Sequence, residues 1–228
     1  MNKKKTAVVL LSGGLDSATC LYWAKQQGYD CHCLVFDYGQ RHKKEIQQAA
    51  KIAKTAKSLY QIVKITFPWK GSSLLDKNLS VPVSTAVRRP LSAIPSTYVP
   101  ARNTIFLSFA LSYAEAIGAQ AVVIGANALD YSGYPDCRPN YFQAMQKMAN
   151  LATKAGVEGR KIKILTPLLH KTKAQIIRLG NSLKVPYQMT WSCYRGGARP
   201  CGTCDSCILR TKGFREAKIA DPAILDSR

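Results

Sequence analysis

Acidic side chains are scarce in this chain: its 228 residues include 13 Asp and Glu against 33 Lys and Arg, for a formal net charge of +20. The excess alone separates few functions, since ATP, an acidic small molecule, RNA or a merely solvated basic surface would all suit it. Its distribution excludes more. The basic residues are scattered over 3–5, 41–44, 88–89, 161–163 and 210–215, with no run long enough for a disordered nucleic-acid-binding arm. No apolar stretch approaches the ~20 residues of a membrane span. The basic start Met1-Asn-Lys-Lys-Lys5 looks like the head of a signal peptide. The apolar run behind it breaks at Ser12-Gly-Gly14, however, and no small-residue cleavage site follows, so a cytoplasmic protein is expected. The eight cysteines are then thiols or metal ligands rather than disulfides. Both G-x-x-x-x-G-K-[ST] and G-x-G-x-x-G are missing, which removes two common nucleotide-binding fingerprints. Internal repeats and low-complexity tracts are also absent. With 46% hydrophobic residues, the length suits one soluble domain with a sizeable core.

The sequence does contain Thr6-Ala-Val-Val-Leu-Leu-Ser-Gly-Gly-Leu-Asp-Ser17, an apolar run that breaks into a Gly-Gly turn bearing hydroxyls and a carboxylate. Residues 7–11 read as a buried parallel strand and 18–27 as the helix after it. Gly13 and Gly14 let backbone N–H groups point at an anion, and the Ser12 and Ser17 hydroxyls add donors at the positive end of the helix. Leu11, Ser12, Gly13, Gly14, Leu15, Asp16, Ser17, Ala18, Thr19, Cys20 and Leu21 are therefore expected to form a phosphate cradle and the turns behind it. Asp16 would repel phosphate unless a cation intervened, so Mg²⁺ is expected there. Ser-Gly-Gly-x-Asp-Ser resembles the signature of the PP-loop ATP pyrophosphatases, which split ATP between the α- and β-phosphates and adenylate an acceptor oxygen.

Strand-like and helix-like segments alternate along the rest of the chain. Strands are predicted at 30–36, 59–65, 121–126 and 162–166, with helices at 43–57, 102–117, 141–155 and 172–183. The pattern implies an α/β fold, an open parallel sheet with helices on both faces. Residues 66–100, rich in Ser and Pro, read as a long loop over the carboxyl ends of the strands. Residues 188–228 read as a small metal-binding C-terminal region. There, Cys193-x₇-Cys201-x₂-Cys204-x₂-Cys207 offers four thiolates within fifteen residues. One structural Zn²⁺ per chain is expected, with a [4Fe-4S] cluster as the alternative. Cys20, Cys31, Cys33 and Cys137 have no partner spacing, and the alternation of Cys31 with Cys33 suits packing on a strand.

A third constellation follows the fourth strand. Asp130 and Asp136 lie close in sequence to Tyr131, Ser132 and Tyr134, in a loop at the edge where open α/β sheets bind ligands. Two rings could stack on a planar heterocycle while a carboxylate accepts from its N–H groups. An Asp/Gly/Pro surface turn is the plainer alternative.

Taken in order, Ser12-Gly-Gly-Leu-Asp-Ser17, Tyr38-Gly-Gln-Arg-His42, Pro95-Ser-Thr-Tyr-Val-Pro-Ala-Arg-Asn103, Ser132-Gly-Tyr-Pro-Asp-Cys-Arg138, Thr166-Pro-Leu168 and the four late cysteines resemble the 7-cyano-7-deazaguanine synthases of queuosine biosynthesis, the QueC family. That resemblance spans nearly the whole chain. It implies an adenine nucleotide alpha hydrolase-like, Rossmann-like fold and an ATP-dependent ligase. Such an enzyme turns 7-carboxy-7-deazaguanine and ammonia into the nitrile preQ0, activating first a carboxylate and then an amide. Ser12, Asp16 and Ser17 would hold ATP and Mg²⁺. Arg102 and Arg41 would grip the substrate carboxylate or the α-phosphate, unless they serve as surface or helix-end ion pairs. Asp130, Tyr131, Ser132, Tyr134 and Asp136 would face the deazaguanine. His42 is an acid–base candidate or a loop hydrogen-bonder. The family likeness implies a homodimer, no membrane and no required nucleic acid. Two other readings share the first motif: a PP-loop tRNA-modifying thiolase with an Fe–S cluster, and a nucleotide-binding regulator.

Overall fold

The computed structural model describes residues 5–41, 43–76, 78–83, 94–129 and 133–225. Five parallel strands, Thr6–Leu10 (β1), Asp30–Asp37 (β2), Leu59–Lys64 (β3), Ala121–Val123 (β4) and Lys163–Leu165 (β5), form one sheet in the order β3-β2-β1-β4-β5. Helices Leu15–Gln26 (α1), Lys44–Thr55 (α2), Arg102–Ile117 (α3), Pro139–Ala152 (α4), Lys154–Val157 (α5), Lys173–Ser182 (α6), Asp205–Ala217 (α7) and Pro222–Leu225 (α8) complete it.

Strand periodicity divides the core in two. Ala7 and Val9 of β1, Cys33 and Val35 of β2, and Val123 of β4 pack with Leu21, Ile52, Ile176 and Phe214 of α1, α2, α6 and α7. The alternate residues Val8, Leu10, Leu34, Phe36 and Val122 pack on the other face with Leu107 and Leu111 of α3 and Phe142 of α4. Each fully buried Val, Leu or Ile contributes about 1.5–3 kcal/mol of transfer free energy, so the two-sided central strands dominate the ledger. The edge strand β3 differs: Leu59 and Ile62 are exposed.

The chain runs outward from β1 through β2 to β3, then returns to place β4 on the other side of β1. A crevice therefore opens at the carboxyl ends of β1 and β4, the switch point where open α/β sheets bind ligands.

Most predicted elements are present with shifted ends. The helix expected at 18–27 begins at Leu15, because Gly14 serves as its N-cap. The strand expected to reach 126 ends at Val123. Within 66–100 the described residues form no helix or strand; residues 77 and 84–93, including Arg88 and Arg89, lie outside the description. Helix α7 has no counterpart among the predicted elements.

Candidate active site

The Gly-Gly turn lies at the carboxyl end of β1, and the reason it must be glycine is visible there. Gly13 has φ +86°, and a Cβ would collide with the carbonyl oxygen of Glu45 in the first turn of α2. The turn is thus wedged under α2, in a conformation that L side chains rarely adopt. Trp191 fixes its other side by donating its backbone N–H to the Gly13 carbonyl at 2.9 Å. Gly14 caps α1 without a side-chain acceptor, so the first-turn N–H groups of α1 stay available to an anion. The Ser12 and Ser17 hydroxyls are 3.0 Å apart, and Ser17 Oγ lies 3.0 Å from the Gly14 carbonyl.

Asp16 was expected to meet Mg²⁺. In the structure the cation beside it is Lys173, whose Nζ donates at 2.8 Å to each carboxylate oxygen. Lys173 is the first residue of α6, held by a capping box in which Thr172 and Gln175 bond reciprocally. Gly213 of α7 leaves room for the lysine stem, since a Cβ there would strike Lys173 Cγ.

Ser12, Asp16, Lys173, Arg102, Tyr134 and Glu45 all line a cavity of about 250 Å³ at the switch point. Apolar walls come from Leu10, Leu34, Phe36 and Ile124, and Trp191, Tyr194 and Arg210 close it from the C-terminal segment. Arg102 opens α3 and donates from Nη1 to the Tyr38 hydroxyl at 3.2 Å. Burial opposes its charge, but Tyr38, Tyr134 and Asp136 outweigh that and push its pKa above the ordinary arginine value. Burial also pushes the Tyr38 and Tyr134 phenols up, so both stay protonated and neutral.

The third constellation is only partly visible. Asp130, Tyr131 and Ser132 lie outside the described residues, as does His42. Tyr134 lines the cavity, with its hydroxyl 2.7 Å from Thr97 Oγ1. Asp136 is buried below the cavity lining. Its Oδ2 accepts from the Asn103 backbone N–H at 3.0 Å, and Asn103 Nδ2 donates to the Asp136 carbonyl. It supplies the cap that Ala101, in a left-handed conformation at φ 52°, cannot give α3. Asp136 therefore fixes the start of α3, from which Arg102 projects, as well as acting on Arg102 by its charge. Arg41 is likewise placed away from the lining: its Nη2 donates to the carbonyls of Asp76, at 2.8 Å, and Leu79. Of the cradle residues, Ala18, Thr19, Cys20 and Leu21 are buried in α1, where they support the turn.

The four late cysteines do converge. Their sulfurs all lie within 4.8 Å of one another, and Cys201 and Cys207 are 4.0 Å apart. Tetrahedral ligands at ~2.3 Å from one ion would be roughly 3.8 Å apart, so the cluster can hold a metal. Trp191 Nε1 donates to the Cys193 carbonyl, and Lys44 Nζ, 3.6 Å from the Trp191 ring centroid, donates to the Ala198 carbonyl at 2.7 Å. The cluster is thus bolted to the Gly-Gly turn.

Sequence reading missed Lys173, Glu45, Trp191 and Tyr194. Only Lys173 had a local signal, the capping box around it. No helix among the described residues is long and apolar enough to cross a membrane.

Comparison with known proteins narrows the chemistry. Three bacterial proteins named 7-cyano-7-deazaguanine synthase align almost end to end. The Nostoc punctiforme protein is 54% identical over 220 residues, covering 96% of this chain and 98% of that one. The Anaeromyxobacter protein is 53% identical, covering 96% of each. The Acetivibrio thermocellus protein is 53% identical, covering 95% of this chain and 96% of its own. Solved structures share the fold at low identity. An RNA-bound 4-thiouridine synthetase with ATP matches at TM-score 0.52 and 18% identity, covering 98% of this chain and 49% of that one. The NMN synthetase of Francisella tularensis matches at 0.50 and 13%, covering 95% and 88%. A family model described as queuosine biosynthesis protein QueC matches residues 6–218, and with relatives more than half identical over nearly the whole length, the chain belongs to that family.

Proposed function

We propose that the cavity is where this carbon–nitrogen ligase converts 7-carboxy-7-deazaguanine and ammonia into 7-cyano-7-deazaguanine, using ATP. The observation that carries the reading is the meeting of an uncapped helix start, the Asp16–Lys173 pair and the Arg102 guanidinium in one cavity.

A carboxylate oxygen leaves poorly, so it attacks the α-phosphorus of ATP and displaces pyrophosphate. Ammonia then adds to the acyl adenylate, and AMP departs to leave an amide. A second adenylation, now of the amide oxygen, makes that oxygen a leaving group too. Loss of AMP and the remaining N–H proton forms the C≡N bond.

No covalent nucleophile on the protein is needed, so the residues orient and neutralise. The 12–14 backbone, the Ser12 and Ser17 hydroxyls and the start of α1 hold the pyrophosphate oxygens. Lys173 meets charge that develops as the α–β bond breaks. Arg102 binds the substrate carboxylate or α-phosphate as a planar fork. Lys173 takes one lone pair from each Asp16 oxygen, which leaves sites on the same carboxylate for Mg²⁺ carried in with ATP. Bound Mg²⁺ would supply charge neutralisation at the phosphates.

Cys193, Cys201, Cys204 and Cys207 hold one structural Zn²⁺ on this reading. Sulfurs within 4.8 Å suit one shared ion better than a four-iron cubane, whose corners set the thiolates further apart. Free ammonia or a partner supplies the nitrogen, two copies of the chain associate, and the enzyme works in the cytoplasm without nucleic acid. The thiolase alternative is not favoured: relatives at 53–54% identity carry the synthase name, whereas the likeness to a 4-thiouridine synthetase is one of fold.

Ser12→Ala and Asp16→Ala each abolish pyrophosphate release while the far-ultraviolet circular dichroism stays folded. Retained turnover in either variant contradicts the assignment.

A further inference from the structure

The ligase chemistry sheds protons that the residues named so far do not take. Ammonia adds as a neutral molecule, and the adduct must lose a proton before AMP leaves. The amide then loses both N–H protons on the way to the nitrile, one as its oxygen is adenylated and one as the C–O bond breaks. The first adenylation releases none. A proton acceptor in the cavity is therefore required, and it must be ionised near neutral pH while close to the reacting carbon.

We infer that Glu45 is this proton acceptor: its carboxylate takes the proton from the ammonia adduct and then the N–H protons of the amide, returning each to solvent. The inference rests on the ligase reading above and adds a residue to it.

Several independent observations place Glu45 there. It lies in the first turn of α2 and lines the cavity together with Ser12, Gly14, Asp16, Arg102 and Lys173. Its backbone is held on two sides. The Glu45 carbonyl is packed against Gly13 so closely that no Cβ fits between them, and the preceding Lys44 is tied to Trp191 and to the Ala198 carbonyl. Among the described residues no side chain hydrogen-bonds or ion-pairs with the Glu45 carboxylate. Among the described residues the other acidic side chain lining the cavity is Asp16, held through both oxygens by Lys173. Among the described residues Glu45 is thus the cavity carboxylate left open to a reacting group.

The surroundings set its proton affinity. Burial pushes the Glu45 carboxyl up to about 7, with Arg102 of α3 pulling the other way. Tyr38, Tyr134 and Cys137 also line the cavity, and burial pushes all three upward, so they remain protonated at neutral pH. The Asp16–Lys173 pair faces in from α1 and α6; Tyr194 and Arg210, the latter paired with Asp221, face in from the C-terminal segment. A carboxylate whose proton affinity is matched to neutral pH is suited to general-base work.

The test uses full-length wild type, Glu45→Gln and Glu45→Asp with saturating ATP and Mg²⁺. Two reactions are read: pyrophosphate–ATP exchange driven by 7-carboxy-7-deazaguanine, which stops at the adenylate, and nitrile formation from the amide. The expected result is that Glu45→Gln keeps most of its exchange yet forms nitrile about 10²–10⁴-fold more slowly, the usual contribution of a general base. Glu45→Asp recovers part of that loss. The wild-type kcat/KM rises with pH through about 7 to a plateau, and this limb vanishes in Glu45→Gln. Equal nitrile rates in Glu45→Gln and wild type overturn the inference alone. So does an equal loss of exchange and nitrile, or recovery with excess Mg²⁺, since these give Glu45 a structural or metal-binding role. Wild-type protein that makes neither amide nor nitrile overturns the ligase reading and the inference together.

Discussion

The Asp16–Lys173 pair is the sharpest place to test how the site is built. Lys173→Met removes the charge and keeps most of the stem that packs beside Gly213. The pair is largely buried, with side-chain exposures of 10% for Lys173 and 20% for Asp16. Removing one partner of a buried pair typically costs about 3–5 kcal/mol, because the other charge is left uncompensated. Asp16 retains contact with the cavity and sits in the first turn of α1, where the positive end of the helix dipole favours an anion. The cost of Lys173→Met is therefore at or below the lower end, about 2–3 kcal/mol, and that of Asp16→Asn is about 2 kcal/mol. The double variant leaves no uncompensated charge and is less destabilised than the sum of the singles, with a coupling of about 1–3 kcal/mol. Urea unfolding followed by tryptophan fluorescence, with slopes compared across all four proteins, gives these numbers. Single-variant costs that add to within about 0.5 kcal/mol would refute the pairing as a determinant of stability. In activity all three variants lose pyrophosphate release, since the double variant restores the fold and not the cation.

Gly13→Ala combines left-handed strain of about 1–2 kcal/mol with overpacking of about 1–3 kcal/mol against the α2 backbone, so urea unfolding shows a loss of about 2–5 kcal/mol. A loss below about 1 kcal/mol contradicts the wedge beneath Glu45. Arg102→Lys keeps the charge but loses the planar fork, and its kcat/KM falls by about tenfold or more in steady-state assays; an unchanged value removes Arg102 from the substrate or phosphate contact. Metal content by mass spectrometry should give one zinc per chain. Its chelation lowers the melting temperature and weakens ATP binding, because the cluster carries Trp191 on the Gly13 carbonyl. For Glu45 the folded pKa is raised, from 4.5 to about 7. Its contribution is therefore fully present below about pH 4.5 and lost as pH rises through about 7, at a cost of at most about 3 kcal/mol. Denaturation series at several pH values should show that slope in wild type and its absence in Glu45→Gln.

Much of the fold could be read from local pattern. The apolar stretch before Gly13 is a central strand buried on both faces, and 102–117 is a helix with the bounds its periodicity implies. Helix α7 was hidden because its inward face is built from Ser206, Cys207, Arg210, Gly213, Phe214 and Ala217, a buried stripe that does not look apolar. Arg210 is tolerated there because Asp221, eleven residues away, accepts two hydrogen bonds from it, and Thr190 Oγ1 and the Tyr187 carbonyl accept others. The Gly-Gly turn and the cysteine cluster were legible because each lies within a short segment. Lys173 was not, since its role depends on α6 beginning 157 residues from Asp16 in sequence and beside it in space. Asp136 carried a suggestive motif, yet its carboxylate caps α3, a use visible only when the helix start is placed. Glu45 looked like an ordinary first-turn acid until its helix was set against the Gly-Gly turn.

The central claim is that one cavity activates the same carbon twice. The direct test incubates purified, metal-loaded chain with ATP, Mg²⁺, ¹⁵N-ammonium and 7-carboxy-7-deazaguanine, and follows products by mass spectrometry over time. The account predicts a labelled amide that rises and falls as the labelled nitrile accumulates, with AMP and pyrophosphate released alongside both. Folded protein that yields neither product, or stops at the amide with ATP still present, contradicts it.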